Sequence, residues 1–419
     1  MKFIHAADIH LDSPLHGLSA YGDAPVEEIR TASRRAFANL IDQAIEQEVD
    51  FMVIAGDLYD GPWKDYNTGF YFSSQMGRLR EAGIPVYLLF GNHDAESEMT
   101  KKLSLPDNVH VFPANKAGTF NLDSLKVTLH GRSFKEIAVT ENLVPGYPDP
   151  KPGWLNIGVL HTALEGGTVH ADYAPCSLNE LIVKGYDYWA LGHVHIHKIL
   201  HADPCWVVYP GNIQGRNIRE TGPKGAVLVV GDDSKITSVT QLTVDVARWY
   251  RLEIDASPAK NLTDVVQLTG EALEKLFKRE SAVDLLAVRV TIIGKTEAHG
   301  ELFGKELHLR SEVLNQALII GAGRIWIEKV ALESEPPLTT QQILDRKDAV
   351  ADLQSYLSAA AQDSQLLGDL HEDLQLLVSR APIDVRNAIG ETAHTSSADM
   401  AALVASIAPD LIARIIKAE

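Results

Sequence analysis

At 419 residues the chain is longer than one core usually organises, so two or three domains are expected. Its 45% hydrophobic and 22% charged content is that of an ordinary soluble globular protein and excludes fibrous and disordered classes. The formal net charge of −18 excludes a generally basic nucleic-acid binder, so any phosphate-backbone contact must come from local clusters of Lys and Arg.

The N-terminal "MKFIHAADIH" turns polar too soon for a signal peptide and no apolar run reaches the length of a bilayer span. A cytoplasmic protein with no membrane partner is therefore expected. Cys176 and Cys205 lack C-x-x-C spacing and are too few to staple the chain, so both read as small structural residues.

In chain order, short apolar runs alternate with helical segments. The runs are "KFIHAA" (2–7), "DFMVIAGD" (50–57), "IPVYLLFGN" (84–92), "LNIGVLH" (155–161) and "YDYWALGH" (186–193). Between the first two, Ile29, Ala36, Phe37, Leu40, Ile41, Ala44 and Ile45 fall on one helical face. Strand, helix, strand in this rhythm predicts an α/β layered core. Paired strands with Gly, Asp and Asn turns are expected over 109–132 and 197–242, which suits a mixed sheet or a two-sheet sandwich. A smaller α+β unit is expected over 249–335, ending at the Pro336–Pro337 pair. Residues 338–419 read as a helical region, and the first domain is bounded at 1–245.

Each of the five runs ends in residues that can bind metal. They supply Asp8 and His10, then Asp57, then Asn92 and His93, then His161, then His193 and His195. Alone, each has an ordinary explanation: an Asp caps a helix, a His is a satisfied interior or surface residue, and the placing of His193 and His195 on one face of a strand, which favours joint ligation, also occurs by chance. Together they are hard or borderline donors delivered to one sheet edge, in the number that two divalent ions require. Aspartate, asparagine and imidazole suit manganese, iron or zinc.

The ordered pattern D-x-H, G-D, G-N-H-D, H, G-H-x-H resembles the calcineurin-like metallophosphoesterase superfamily over about the first 240 residues. More narrowly, "HAADIHLDSPL", "AGDLYDG" and "YPGNIQGRNIRETGPKG" are similar to bacterial DNA-repair exonucleases of the SbcD and YhaO type. The resemblance implies a four-layer α/β/β/α sandwich with a small α+β cap and a C-terminal helical region. It implies that Asp8, His10 and His195 hold one metal and Asn92, His161 and His193 the other, with Asp57 bridging. Two divalent ions are implied, with manganese the expected metal. His93 is implied as the general acid that protonates the leaving ribose oxygen while metal-bound hydroxide attacks phosphorus in line. Asp94 is a candidate partner for His93, with a turn or cap role as the alternative. Archaeal and eukaryotic relatives carry a second active-site histidine three residues after the bridging aspartate, where this chain has Asp60.

The implied function is a DNA exonuclease or endonuclease subunit in DNA repair, with an SbcC-like coiled-coil ATPase partner docking on the C-terminal helices and a homodimer. Arg216, Arg219 and Lys224 are candidate DNA contacts near the last ligand strand, and Lys275, Lys278 and Arg279 form a second basic cluster on the cap helix. The alternatives are a phosphodiesterase of small-molecule or nucleotide diesters and a non-catalytic scaffold subunit of an ATPase complex. His5, His16, His170, His197 and His201 read as structural, as do Trp63 and Tyr66, whose expected place is under the loop after Asp57.

Overall fold

The computed structural model describes residues 1–13, 24–60, 66–96, 105–164, 173–232, 235–382 and 397–418. His16, Trp63 and His170 lie outside these residues. The chain divides into two compact units, one of residues 1–250 with 281–287 and one of residues 251–280 with 288–419.

The first unit is built on two six-stranded mixed sheets. One runs β12 (Ile236–Thr243), β11 (Gly225–Gly231), β1 (Lys2–Ala6), β2 (Phe51–Ala55), β3 (Val86–Leu89), β4 (Val109–Val111). The other runs β5 (Gly118–Leu122), β6 (Val127–Gly131), β7 (Leu155–His161), β8 (Tyr188–Gly192), β10 (Trp206–Tyr209), β9 (Lys198–His201). β1 to β4 pair in parallel, as do β6, β7, β8 and β10; β11 and β12 extend the first sheet antiparallel on the side away from β4, and antiparallel β5 and β9 are the edges of the second.

Side chains alternate between the two faces of each strand, so one run serves two cores. Phe51, Val53 and Ala55 of β2 meet Leu129, Ile157 and Tyr188 between the sheets. Met52 and Ile54 face outward, where helices α1 (Val26–Glu46) and α2 (Tyr66–Glu81) cover them with Phe37, Leu40, Phe72 and Met76. On the far side, Trp189, Leu160 and Val207 pack beneath Leu181 of α4 (Leu178–Val183). All five β2 residues are buried, which explains an apolar run without polar alternation. The architecture is the expected four-layer α/β/β/α sandwich. His5 lies inside it, bonded to the Tyr188 hydroxyl at 3.0 Å and the Leu191 carbonyl at 3.1 Å, and burial pushes its pKa down to about 3. It is a neutral structural histidine.

A third sheet runs β13 (Ala247–Asp255), β14 (Leu285–Lys295), β15 (Ile325–Glu335). It carries α5 (Leu262–Arg279), capped by the Asn261 side chain, together with α6 (His299–Leu302) and α7 (Glu306–Gly321). Beyond Pro336 and Pro337 the described residues are helical, as expected: α8 (Thr340–Leu344), α9 (Ala349–Ala360), α10 (Ser364–Arg380) and α11 (Ser397–Ala418). These helices cluster with the cap in the second unit because α11 packs on α6. A Cβ at Gly300 would stand 2.2 Å from the Ala413 carbonyl oxygen.

Candidate metal centre

The strands of the sandwich end in backbone that non-glycine residues rarely adopt. After β1, Asp8 and His10 have φ of 50° and 44°; after β2, Asp57 has 54°; after β8, His193 has 99°. Each such residue costs conformational energy, and such strain persists only where the surroundings impose it. Here the loops after β1 and β2 run side by side, with Asp8 N–H donating to Gly56 O and His10 N–H to Asp57 O, both at 3.0 Å.

Three groups of ligand atoms converge at these ends, each with its atoms within 4.8 Å of one another. Asp8, His10 and His195 form one and Asp57, His161 and His193 another, while the third joins His10 to Asp60 and His93 at the rim. Asp57 Oδ2 reaches into the first two, standing 3.8 Å from His10 Nε2 and 3.3 Å from His161 Nε2. Asn92 adds Oδ1 at 3.0 Å from His161 Nε2. The approach is close enough to need glycine. A Cβ at Gly91 would lie 2.4 Å from Asp57 Oδ1, and one at Gly56 would lie 2.3 Å from His161 Nδ1.

The protonation pattern fits a pair of cations. His161 bonds the Ala55 carbonyl at 2.9 Å through Nδ1, and with that nitrogen donating, its Nε2 lone pair faces two oxygens. Burial opposes a charge on His161, yet Asp57 outweighs it and raises the pKa to about 9, drawing positive charge to that spot. His195 Nδ1 meets Glu220 at 2.8 Å, leaving Nε2 aimed at His10 Nε2 3.2 Å away, a spacing that asks for a proton or a metal ion between the two nitrogens. Burial lowers His10 to about 4 and raises Asp8 to about 6. Burial also works against ionisation of Asp57, but His161, His10 and His93 hold it well below the usual carboxylate range.

His93 stands at the rim, its ring 5.1 Å from that of His10. Its Nδ1 lies 3.0 Å from Asp60 Oδ1, and that contact raises its pKa. Asp60 is thus the carboxylate beside His93. Asp94 does other work: its buried carboxylate accepts from the N–H groups of Leu58, Tyr59 and Gly91 at 3.1, 2.9 and 3.0 Å, and burial pushes its pKa up to about 6. Asp60 also contacts Arg216 Nη1 at 3.4 Å, and Glu220 contacts Arg216 Nη2 at 3.1 Å. Glu220 was not among the residues singled out from the sequence; the only signal was its place in the loop after "YPGN".

Other expectations change. His193 and His195 do not share a strand face, because β8 ends at Gly192 and the bend at His193 sends the two rings to different clusters. Lys224 is not at the surface: it is 5% exposed and donates to the His195 carbonyl at 2.8 Å. Arg219 is exposed, Tyr66 is 49% exposed rather than packed under a loop, and Lys278 and Arg279 pair with Glu274 and Glu280. His197 and His201 bond the carbonyls of Tyr209 and Cys205.

Two family descriptions match the chain, "Calcineurin-like phosphoesterase" over residues 1–197 and "Metallophosphoesterase YhaO, middle domain" over residues 249–335. The uncharacterized metallophosphoesterase YhaO of Bacillus subtilis is 36% identical over 297 residues, 70% of this chain and 72% of its own. The DNA double-strand break repair protein Mre11 of Methanopyrus kandleri is 27% identical over 51% of this chain and 48% of its own length. The Mre11 of Aeropyrum pernix is 25% identical over 71% and 73%. No helix among the described residues is long and apolar enough to cross a membrane. Since the first match runs through every clustered strand end from Asp8 to His195 and the identity with YhaO extends across most of both proteins, the chain belongs to the calcineurin-like metallophosphoesterases, metal-dependent hydrolases of phosphoesters.

Proposed function

We propose that the chain is a two-metal phosphodiesterase that cuts DNA, as the nuclease subunit of a DNA-repair complex. The observation that carries the reading is the meeting of two donor clusters at Asp57 Oδ2 with His93 alongside. Asp8, His10 and His195 would hold one ion, Asn92, His161 and His193 the other, and Asp57 both. Two divalent cations held there, manganese in this reading, would lower the pKa of a water and offset charge on phosphorus oxygens.

The chain's own residues supply the rest. With Nδ1 held by Asp60, the His93 pKa is raised, which favours the protonated ring that can give a proton to a departing ribose oxygen. His93 N–H donates to Asp57 Oδ1 at 3.1 Å, so the acid is positioned by the proposed bridging carboxylate. Imidazoles supply most of the donor set, so it binds cations without accumulating negative charge that would repel a phosphodiester.

The DNA substrate is supported by the relatives named for double-strand break repair. Arg219, exposed after the last ligand strand, is a candidate backbone contact. An SbcC-like ATPase, seated on the C-terminal helices, would supply most phosphate contacts that a chain of net charge −18 lacks, and a homodimer fits the same scheme. The test is digestion of single- and double-stranded DNA with manganese, beside a chelator control and His93→Ala. Shortening of DNA that stops with chelator and falls by about 10²–10⁴-fold in the variant is the expected result. Turnover of small diesters alone would replace DNA with a small-molecule substrate, and a metal-free chain without turnover would leave a scaffold role.

A further inference from the structure

The loop after β10 brings Arg216 between Asp60 and Glu220. Nη1 lies 3.4 Å from Asp60 Oδ2, and Nη2 lies 3.1 Å from Glu220 Oε1 and 3.2 Å from His195 Nδ1. These contacts do not satisfy the guanidinium. The Asp60 contact is long for a charge-assisted bond, and the Nε–H is buried without an acceptor among the described residues. The side chain retains 22% exposure. A planar guanidinium with five donors matches two oxygens of a phosphate better than any other side chain.

Asp60 adds a second reason. One of its oxygens faces His93 Nδ1 at 3.0 Å and the other faces Arg216, so a single carboxylate holds the proposed acid and the guanidinium together. The chain has this carboxylate where archaeal and eukaryotic relatives carry a second histidine. A bare carboxylate there would repel a phosphodiester; with Arg216 docked on it, the position again presents a cation.

We infer that Arg216 binds the non-bridging oxygens of the scissile phosphate, with Asp60 and Glu220 as its holders. The inference rests on the phosphodiesterase reading and assigns this residue a place in the same site. During displacement at phosphorus, charge is carried on the non-bridging oxygens whatever group departs. Arg216 therefore acts independently of the leaving group, whereas His93 acts only when that group needs a proton.

The experiment uses the full chain with manganese and two diesters, bis(4-nitrophenyl) phosphate, whose leaving group needs no proton, and dithymidine monophosphate, whose leaving group does. Arg216→Gln is expected to lower kcat/KM by about 100-fold on both. Arg216→Lys recovers part of the loss on both, and His93→Ala loses rate on the dinucleotide only. Metal content per chain, read by elemental analysis, stays at the unaltered level in Arg216→Gln. Three results overturn the inference: rates within threefold of the unaltered chain on both diesters, a loss confined to the dinucleotide, or a loss that follows missing metal, which would make Arg216 a prop for His195. Hydrolysis of neither diester by the unaltered chain removes the phosphodiesterase reading itself and this inference with it.

Discussion

One histidine of the second unit and two of the first are treated in opposite ways. In the second unit His299 is 4% exposed and both nitrogens are satisfied by the protein, Nδ1 by Ser334 Oγ at 3.0 Å and Nε2 by Asp410 Oδ1 at 2.8 Å. In the first unit the outer nitrogens of His161 and His195 are fixed by Ala55 and Glu220, while their inner nitrogens face oxygens or another imidazole. A buried ring with two protein partners serves the fold. A ring with one partner and a crowd of donors at the other nitrogen is arranged for something the protein does not itself supply.

Removing the shared carboxylate strikes this arrangement hardest. Asp57→Asn should reduce hydrolysis of a 4-nitrophenyl diester to the level of the chelated protein and lower metal content, measured together on one preparation. Next comes the outer partner. Glu220→Gln weakens the hold on the His195 ring and should cost about 10–100-fold in metal affinity, read by metal titration of activity. A titration curve unchanged from the original would show that Glu220 does not tune its histidine.

Asp60→Asn acts on pH. Asp60 raises the His93 pKa, and the acid must be protonated to work, so activity falls as pH rises through that pKa. Without Asp60 the pKa drops, and the alkaline limb of kcat/KM for dithymidine monophosphate should move to lower pH. An unmoved limb would detach Asp60 from His93. The smallest effect on catalysis is expected in the second unit. His299→Ala should leave diester hydrolysis unchanged while costing about 1–3 kcal/mol of stability in urea denaturation, because Ser334 and Asp410 lose their partner.

The layered fold was legible because strands buried on both faces read as unbroken apolar runs, and α1 shows its buried face at helical spacing. The residues at the strand ends were legible for a related reason: polar donors immediately after such a run have nowhere to go but the sheet edge. What could not be read were partnerships across long separations. His195 meets Glu220 25 residues on, His93 meets Asp60 33 residues back, and Asp60 meets Arg216 across 156 residues. Lys224 misled for the same reason, since a cation beside the last ligand strand gives no sign of being folded under a histidine carbonyl. The separation of His193 from His195 depends on a left-handed backbone turn, which a histidine does not advertise.

The carboxylate of Asp94 has a consequence for how the centre tolerates change. By gathering N–H groups from Leu58, Tyr59 and Gly91, it ties the exit of β2 to the exit of β3. Those exits deliver Asp57 on one side and Asn92 with His93 on the other. Asp94 is thus a gauge block, setting the gap between donors without touching what they hold. A substitution there would leave every proposed ligand in the chain and put the whole set out of tolerance.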